Sequence, residues 1–104
     1  MSDTFDKFTG DINIVVHQTA VPGKADELVS LLKAVQASCH SDAEPGCLYY
    51  EVLRFDDQIC VVERYKDGAA IHTHMNTPAF KYLSSKRSEV VIEGSRVLKF
   101  FETT

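Results

Sequence analysis

The apolar positions fall into short runs whose period alternates between that of a strand and that of a helix. Ile12 to Val16 (INIVV) is β-branched and apolar on both sides, with Ile12, Ile14 and Val16 on one face and Val15 on the other. Such a strand is normally covered on both faces. His17 continues the Val15 face, and Val21-Pro22-Gly23 ends the run. From about Lys24 to Cys39, Leu28, Leu31, Leu32, Val35 and Cys39 form one helical stripe. Pro22 lies near its start, and Asp26 and Glu27 occupy the turn where the helix dipole favours anions. Ser41 to Gly46 is a loop by its Ser, Asp, Pro and Gly content.

Cys47 to Phe55 predicts a second strand, with Leu48, Tyr50 and Val52 on one face and Cys47, Tyr49, Glu51 and Leu53 on the other. Asp56-Asp57-Gln58 is too short for anything but a hairpin link to a third strand, Ile59 to Tyr65. There Cys60, Val62 and Arg64 face one way, and Ile59, Val61, Glu63 and Tyr65 the other. Lys66-Asp67-Gly68 turns into a short helix, Gly68 to Met75, with Ile71, His74 and Met75 on one face. Thr77 is an N-cap and Pro78 a first-turn residue for a helix from about Ala79 to Val90 that buries Phe80 and Leu83. After Gly94, Arg96 to Glu102 alternates as a last strand.

This β-α-β-β-α-β order is the ferredoxin-like α+β arrangement, with helices on one face of a four-stranded antiparallel sheet. The other face would carry large apolar side chains among polar ones. Its expected cover is a second copy of the chain, a homodimer closing sheet on sheet into a barrel.

Length and charge narrow this only a little. The 104 residues make one domain, residues 11–104, behind a flexible arm of residues 1–10. A formal net charge of −4 argues against a nucleic-acid partner. The most basic stretch, Lys81 to Arg87, reads as a solvated helix face. No apolar run is long enough for a membrane span and no secretory signal opens the chain, so the expectation is no membrane partner and a cytoplasmic protein. Three cysteines, Cys39, Cys47 and Cys60, with no CxxC spacing suit reduced thiols, and Cys47 and Cys60 suit inert buried ones.

Candidate chemistry gathers around His74. An imidazole on an apolar helix face is either a half-buried structural histidine with one partner or a pocket acid–base group. Tyr65, at the end of the third strand, is its expected catalytic companion. Tyr50, Ile71, Met75 and Phe80 are the expected substrate-binding residues. His17 is a second candidate proton acceptor, with nothing to place it in the pocket. Glu63 is assigned to the dimer or the barrel interior. His72 and His74 do not make a metal pair, because i and i+2 point about 200° apart on a helix. No Cys or carboxylate completes a set at sensible sequence spacing, so no metal is expected.

Several stretches together resemble the antibiotic biosynthesis monooxygenase family: Pro22-Gly23-Lys24, Glu44 to Tyr50, Glu63 to Asp67 leading to His74, and Thr77 to Lys81. The resemblance covers roughly Ile12 to Phe101. It implies a dimeric α+β barrel. Members of that family oxidise quinols or polyketide rings with dioxygen and no metal, flavin or haem, degrade haem, or isomerise phosphorylated autoinducer-2, and others have no known activity. The haem-degrading branch uses an Asn, a Trp and a His. His74 matches the His, but Tyr65 stands for the Trp and Val16 for the Asn, which ranks haem degradation low. The wording is closest to the quinol monooxygenase and isomerase branches. The resulting expectation is a monooxygenase-type enzyme, without cofactor, acting on a small quinol-like or aromatic molecule. One rival is an isomerase of a small phosphorylated carbonyl compound, drawing on Arg64, Lys66, Lys81, Lys86 and Arg87 for phosphate. Another is a non-catalytic dimeric module that binds a small ligand.

Overall fold

A computed structural model describes residues 7–104. Its elements run β1 (Ile12–Thr19), α1 (Ala25–Cys39), β2 (Cys47–Phe55), β3 (Gln58–Tyr65), α2 (Gly68–Met75), α3 (Pro78–Val90) and β4 (Val97–Glu102). The strands form one antiparallel sheet in the order β2-β3-β1-β4, the ferredoxin-like arrangement expected from the sequence. β1 runs three residues beyond its apolar stretch. Its polar end, His17 to Thr19, is carried by pairing with Cys60, Ile59 and Gln58 of β3. Sheet pairing there overrides local polarity.

The core lies between the sheet and the helices. Ile12, Ile14 and Val16 of β1 meet Ile59 and Val61 of β3, and all are buried against Leu28, Leu32 and Val35 of α1. On the opposite face Leu53, Val97 and Phe101 are exposed. Residues 1–6 of the expected arm lie outside the described residues. Beyond them Phe8 packs on the core, and the backbone N–H groups of Thr9 and Gly10 donate to the Glu102 carboxylate.

The face of β2 differs from the sequence pattern at its start. The register shifts between Cys47 and Tyr49, so a bulge lets Cys47 pair opposite Tyr65 and leaves Leu48 exposed. Cys47 and Tyr50, rather than Leu48 and Tyr50, therefore face the core. The thiols differ as well: Cys39 is buried, whereas Cys47 and Cys60 are only half-buried.

Local capping fixes the helices that carry the chemistry. The Asp67 carboxylate accepts from Ala70 N–H at 2.8 Å and starts α2. Thr77 Oγ1 donates to the His74 carbonyl at 2.8 Å and accepts from Phe80 N–H at 3.4 Å. One hydroxyl thus closes α2 and opens α3, and Pro78 at the first turn of α3 gives up no hydrogen bond. Asp67→Ala should lower stability by about 1 kcal/mol, a Tm fall of about 4–8 °C for a domain of this size. Thermal unfolding followed by circular dichroism checks it.

Candidate active site

His74 stands on the last turn of α2 and is 4% exposed. Its Nδ1 lies 2.7 Å from Glu44 Oε1, and Glu44 is 2% exposed. The second Glu44 oxygen accepts from Ser38 Oγ at 2.6 Å. A carboxylate beside Nδ1 accepts a hydrogen bond from Nδ1–H, which leaves the lone pair on Nε2. Nε2 points toward Glu63, 3.8 Å from its Oε1 and beyond hydrogen-bond reach.

Glu44 is the partner of His74 that the sequence reading missed. It sits in the loop between α1 and β2, thirty positions from His74. The loop reaches α2 because residue 46 is glycine: a Cβ there would come within 2.5 Å of the Ala70 Cβ. The Gly46 carbonyl accepts from Lys66 N–H at 3.0 Å, which ties the loop to the start of α2. The one available signal was an acidic residue directly before Pro45-Gly46, a turn that presents its flank to a neighbour.

Glu63 also departs from expectation. Its side chain lies under the helices, not in the open face, because Glu63 pairs opposite Ile14 and Tyr50 on the covered side. Tyr65, fully buried, donates its hydroxyl to Glu63 Oε1 at 2.6 Å. Burial pushes the Glu63 carboxyl above its ordinary value of 4.5, opposed by the Tyr65 hydrogen bond and the His74 and Arg96 charges. Burial, then the Glu63 charge, pushes the Tyr65 phenol up, so Tyr65 serves as a donor and not as a proton acceptor.

A group whose folded value is raised favours the folded state while protonated. The Glu63 contribution is fully present below its unfolded value and is lost as pH rises toward the folded one. Glu63→Gln should therefore gain stability relative to the parent as pH climbs from about 4.3 upward. Urea titrations of both proteins across that range check the sign.

The expected aromatic companions do gather at His74. Ring centroids stand 5.2 Å away for Tyr65, 5.9 Å for Tyr50 and 5.0 Å for Phe80. A cavity of about 260 Å³ opens beside the imidazole, lined by Glu63, Ile71, His74, Met75 and Phe80 together with Phe100 of β4. A pouch of about 20 Å³ adjoins it at Tyr50 and Leu83, room for a water molecule. Tyr65 lines neither space and reaches the site only through its hydrogen bond to Glu63. His17 and His72 are exposed, and His17 lies on the opposite face of the sheet among Leu53 and Cys60.

Arg87 of α3 and Arg96 just before β4 line both spaces. Burial and the neighbouring Arg96 charge hold the Arg87 guanidinium below its usual value, and burial holds Arg96 below it too. Arg64, by contrast, is exposed on the open side and donates to Asn13 Oδ1 at 2.9 Å.

The expectation that no Cys or carboxylate accompanies the histidines fails in space. Cys39, Glu44 and His74 bring three ligand-type atoms within 4.8 Å of one another. Those atoms already bond among themselves: Glu44 Oε1 holds Nδ1, and Cys39 Sγ stands 3.7 Å from Oε1 and 3.5 Å from Nδ1. Hydrogen bonding to Cys47 and burial push the Cys39 thiol up, away from the thiolate a metal would need. The donor set suits a hydrogen-bonded support for the imidazole.

Residues 12–84 match the family model described as antibiotic biosynthesis monooxygenase. The chain belongs to this family. Its description supports a monooxygenase-like role in general terms. A solved Caulobacter crescentus protein, described provisionally as an antibiotic biosynthesis monooxygenase, superposes with a TM-score of 0.82 at 26% identity, over 93% of this chain and 92% of that one. A Pseudomonas aeruginosa structure gives 0.81 at 23%, over 93% and 97%. A Bacteroides thetaiotaomicron structure with the same provisional description gives 0.74 at 22%, over 91% and 89%. Below 25% identity the likeness is one of fold. None of the curated proteins matches the chain significantly. Among the described residues, no helix is long and apolar enough to cross a membrane.

Proposed function

We propose that this chain is a cytoplasmic monooxygenase-type enzyme that oxidises a small quinol-like or aromatic molecule with dioxygen, without a cofactor. One observation carries the reading: a buried Glu44–His74 pair, whose Nε2 stands 3.8 Å from Glu63 Oε1, lines an apolar cavity together with Glu63. A phenol seated there would give its proton to Nε2, and Glu44 would stabilise the resulting imidazolium. The phenolate surrenders an electron to dioxygen far more readily than the phenol does. The overall reaction turns one quinol and one dioxygen into a hydroxyquinone and one water. Tyr65 keeps Glu63 in place beside the ring. Ile71, Met75 and Phe80 supply the apolar walls.

Oxygen uptake by the metal-stripped protein with a panel of quinols tests this. The reading expects uptake that depends on His74. Absence of uptake with every quinol would contradict it. A second reading, an isomerase of a small phosphorylated carbonyl compound, is favoured by Arg87 and Arg96 at the same cavity. It needs the same base and predicts proton exchange beside the carbonyl with no oxygen consumed.

The working form we infer is a homodimer closed over the face that exposes Leu53, Val97 and Phe101. Such a contact would bury at least about 1,200 Å². Light scattering should give twice the chain mass, and Phe101→Asp should return it to one.

A further inference from the structure

The two arginines of the cavity are half-buried charges with few partners among the described residues. Arg54 has Asp26 at 2.7 Å and Arg64 has Asn13. Among the described residues Arg87 donates only to Ser84 Oγ, at 3.4 Å, and lies over the Phe80 ring at 5.9 Å. Arg96 makes no hydrogen bond or ion pair among the described residues. Glu63 attracts Arg96 but stands outside ion-pair distance, and burial favours its neutral form. Two half-buried guanidiniums thus face one space and repel each other, in a chain whose net charge is −4. Desolvated like charges are costly unless something neutralises them. The family match ends at residue 84, before both of them.

We propose that Arg87 and Arg96 form an oxyanion anchor, so that the ligand of this cavity is a compact apolar acid, its carboxylate or phosphate held by both guanidiniums. Guanidinium forks match the geometry of either group bidentately. The body of the ligand lies against Ile14, Met75, Leu98 and Phe100, and its reacting end reaches His74. At about 260 Å³ the space falls just below the usual range for drug-sized ligands, so one or two fused rings fill it. The proposal rests on reading the cavity as the substrate site, and it holds for either reaction above.

Calorimetry on the full chain with three inert probes tests it: 2-naphthoate, 2-naphthyl phosphate and uncharged 2-naphthamide. At least one anion should bind about tenfold or more tightly than the amide, the return expected of charge-assisted hydrogen bonds. That preference should shrink in high salt. It should disappear in Arg96→Gln and Arg87→Gln while amide affinity stays unchanged. Whichever anion binds better names the group. Equal affinity for anions and amide overturns the proposal, as does a preference that survives in both variants, or no binding at all. Should a variant fail to fold, the comparison of probes and salt in the parent protein still decides. His74 imidazole shifts separate the two claims. An amide that perturbs them without an anion preference leaves the cavity reading standing and removes the anchor.

Discussion

Replacing His74 by Ala should lower oxygen-coupled quinol turnover by about 10²- to 10⁴-fold, the range associated with a positioned proton acceptor. Binding of the inert aromatic probe should change far less, because Ile71, Met75 and Phe80 keep the walls. The substitution also strands Glu44, which would retain only Ser38 and Cys39 as polar neighbours. Breaking a buried pair costs up to about 3–5 kcal/mol, so the rate must be referred to the folded fraction at a temperature well below the transition. Glu44→Gln separates the two effects. Its amide oxygen still accepts from Nδ1–H, but the charge that steadies an imidazolium is gone. Turnover in Glu44→Gln should fall between parent and His74→Ala, with stability nearer the parent. Turnover of His74→Ala equal to that of the parent would remove the imidazole from the chemistry.

The second large effect is expected at Gly46. A methyl group there meets the Ala70 Cβ at 2.5 Å, closer than two carbons can stand. Overpacking of this kind costs about 1–3 kcal/mol. The stiffer unfolded chain returns only about 0.4–1 kcal/mol. Gly46→Ala should therefore be destabilising, and the strain has a direction. The loop can relieve it only by withdrawing from α2, which draws Glu44 away from Nδ1. Denaturant unfolding should show the loss of stability, and turnover should fall with it. An unchanged midpoint would mean that the loop has room the structure does not show.

These two sites show where sequence reasoning reached and where it stopped. The strands and helices were legible because each is written locally: INIVV in β1, the Leu28–Leu32–Val35 stripe in α1, the Thr77-Pro78 cap. His74 was legible as a candidate because a lone imidazole on an apolar helix face needs a partner. The identity of that partner was not, since it depends on how closely a loop approaches a helix. Leu48 was placed on the wrong face because one bulged residue inverts every position before it, and alternation alone does not reveal a bulge. Glu63 was assigned to the dimer or the barrel interior, because strand alternation alone does not say which face the helices cover. The structure turns it inward, where Tyr65 satisfies it. Arg96 went unnoticed for the converse reason: it lies at the edge of β4, where an arginine reads as ordinary surface, yet the fold aims it at the cavity.

The account turns on the protonation pattern of a single ring. In protein labelled with 15N in its histidines, His74 should show the tautomer with the proton on Nδ1 and a lone pair on Nε2, and the Nε2 signal should move when a quinol is titrated in. A proton resident on Nε2, or an Nε2 signal indifferent to the quinol, would contradict it.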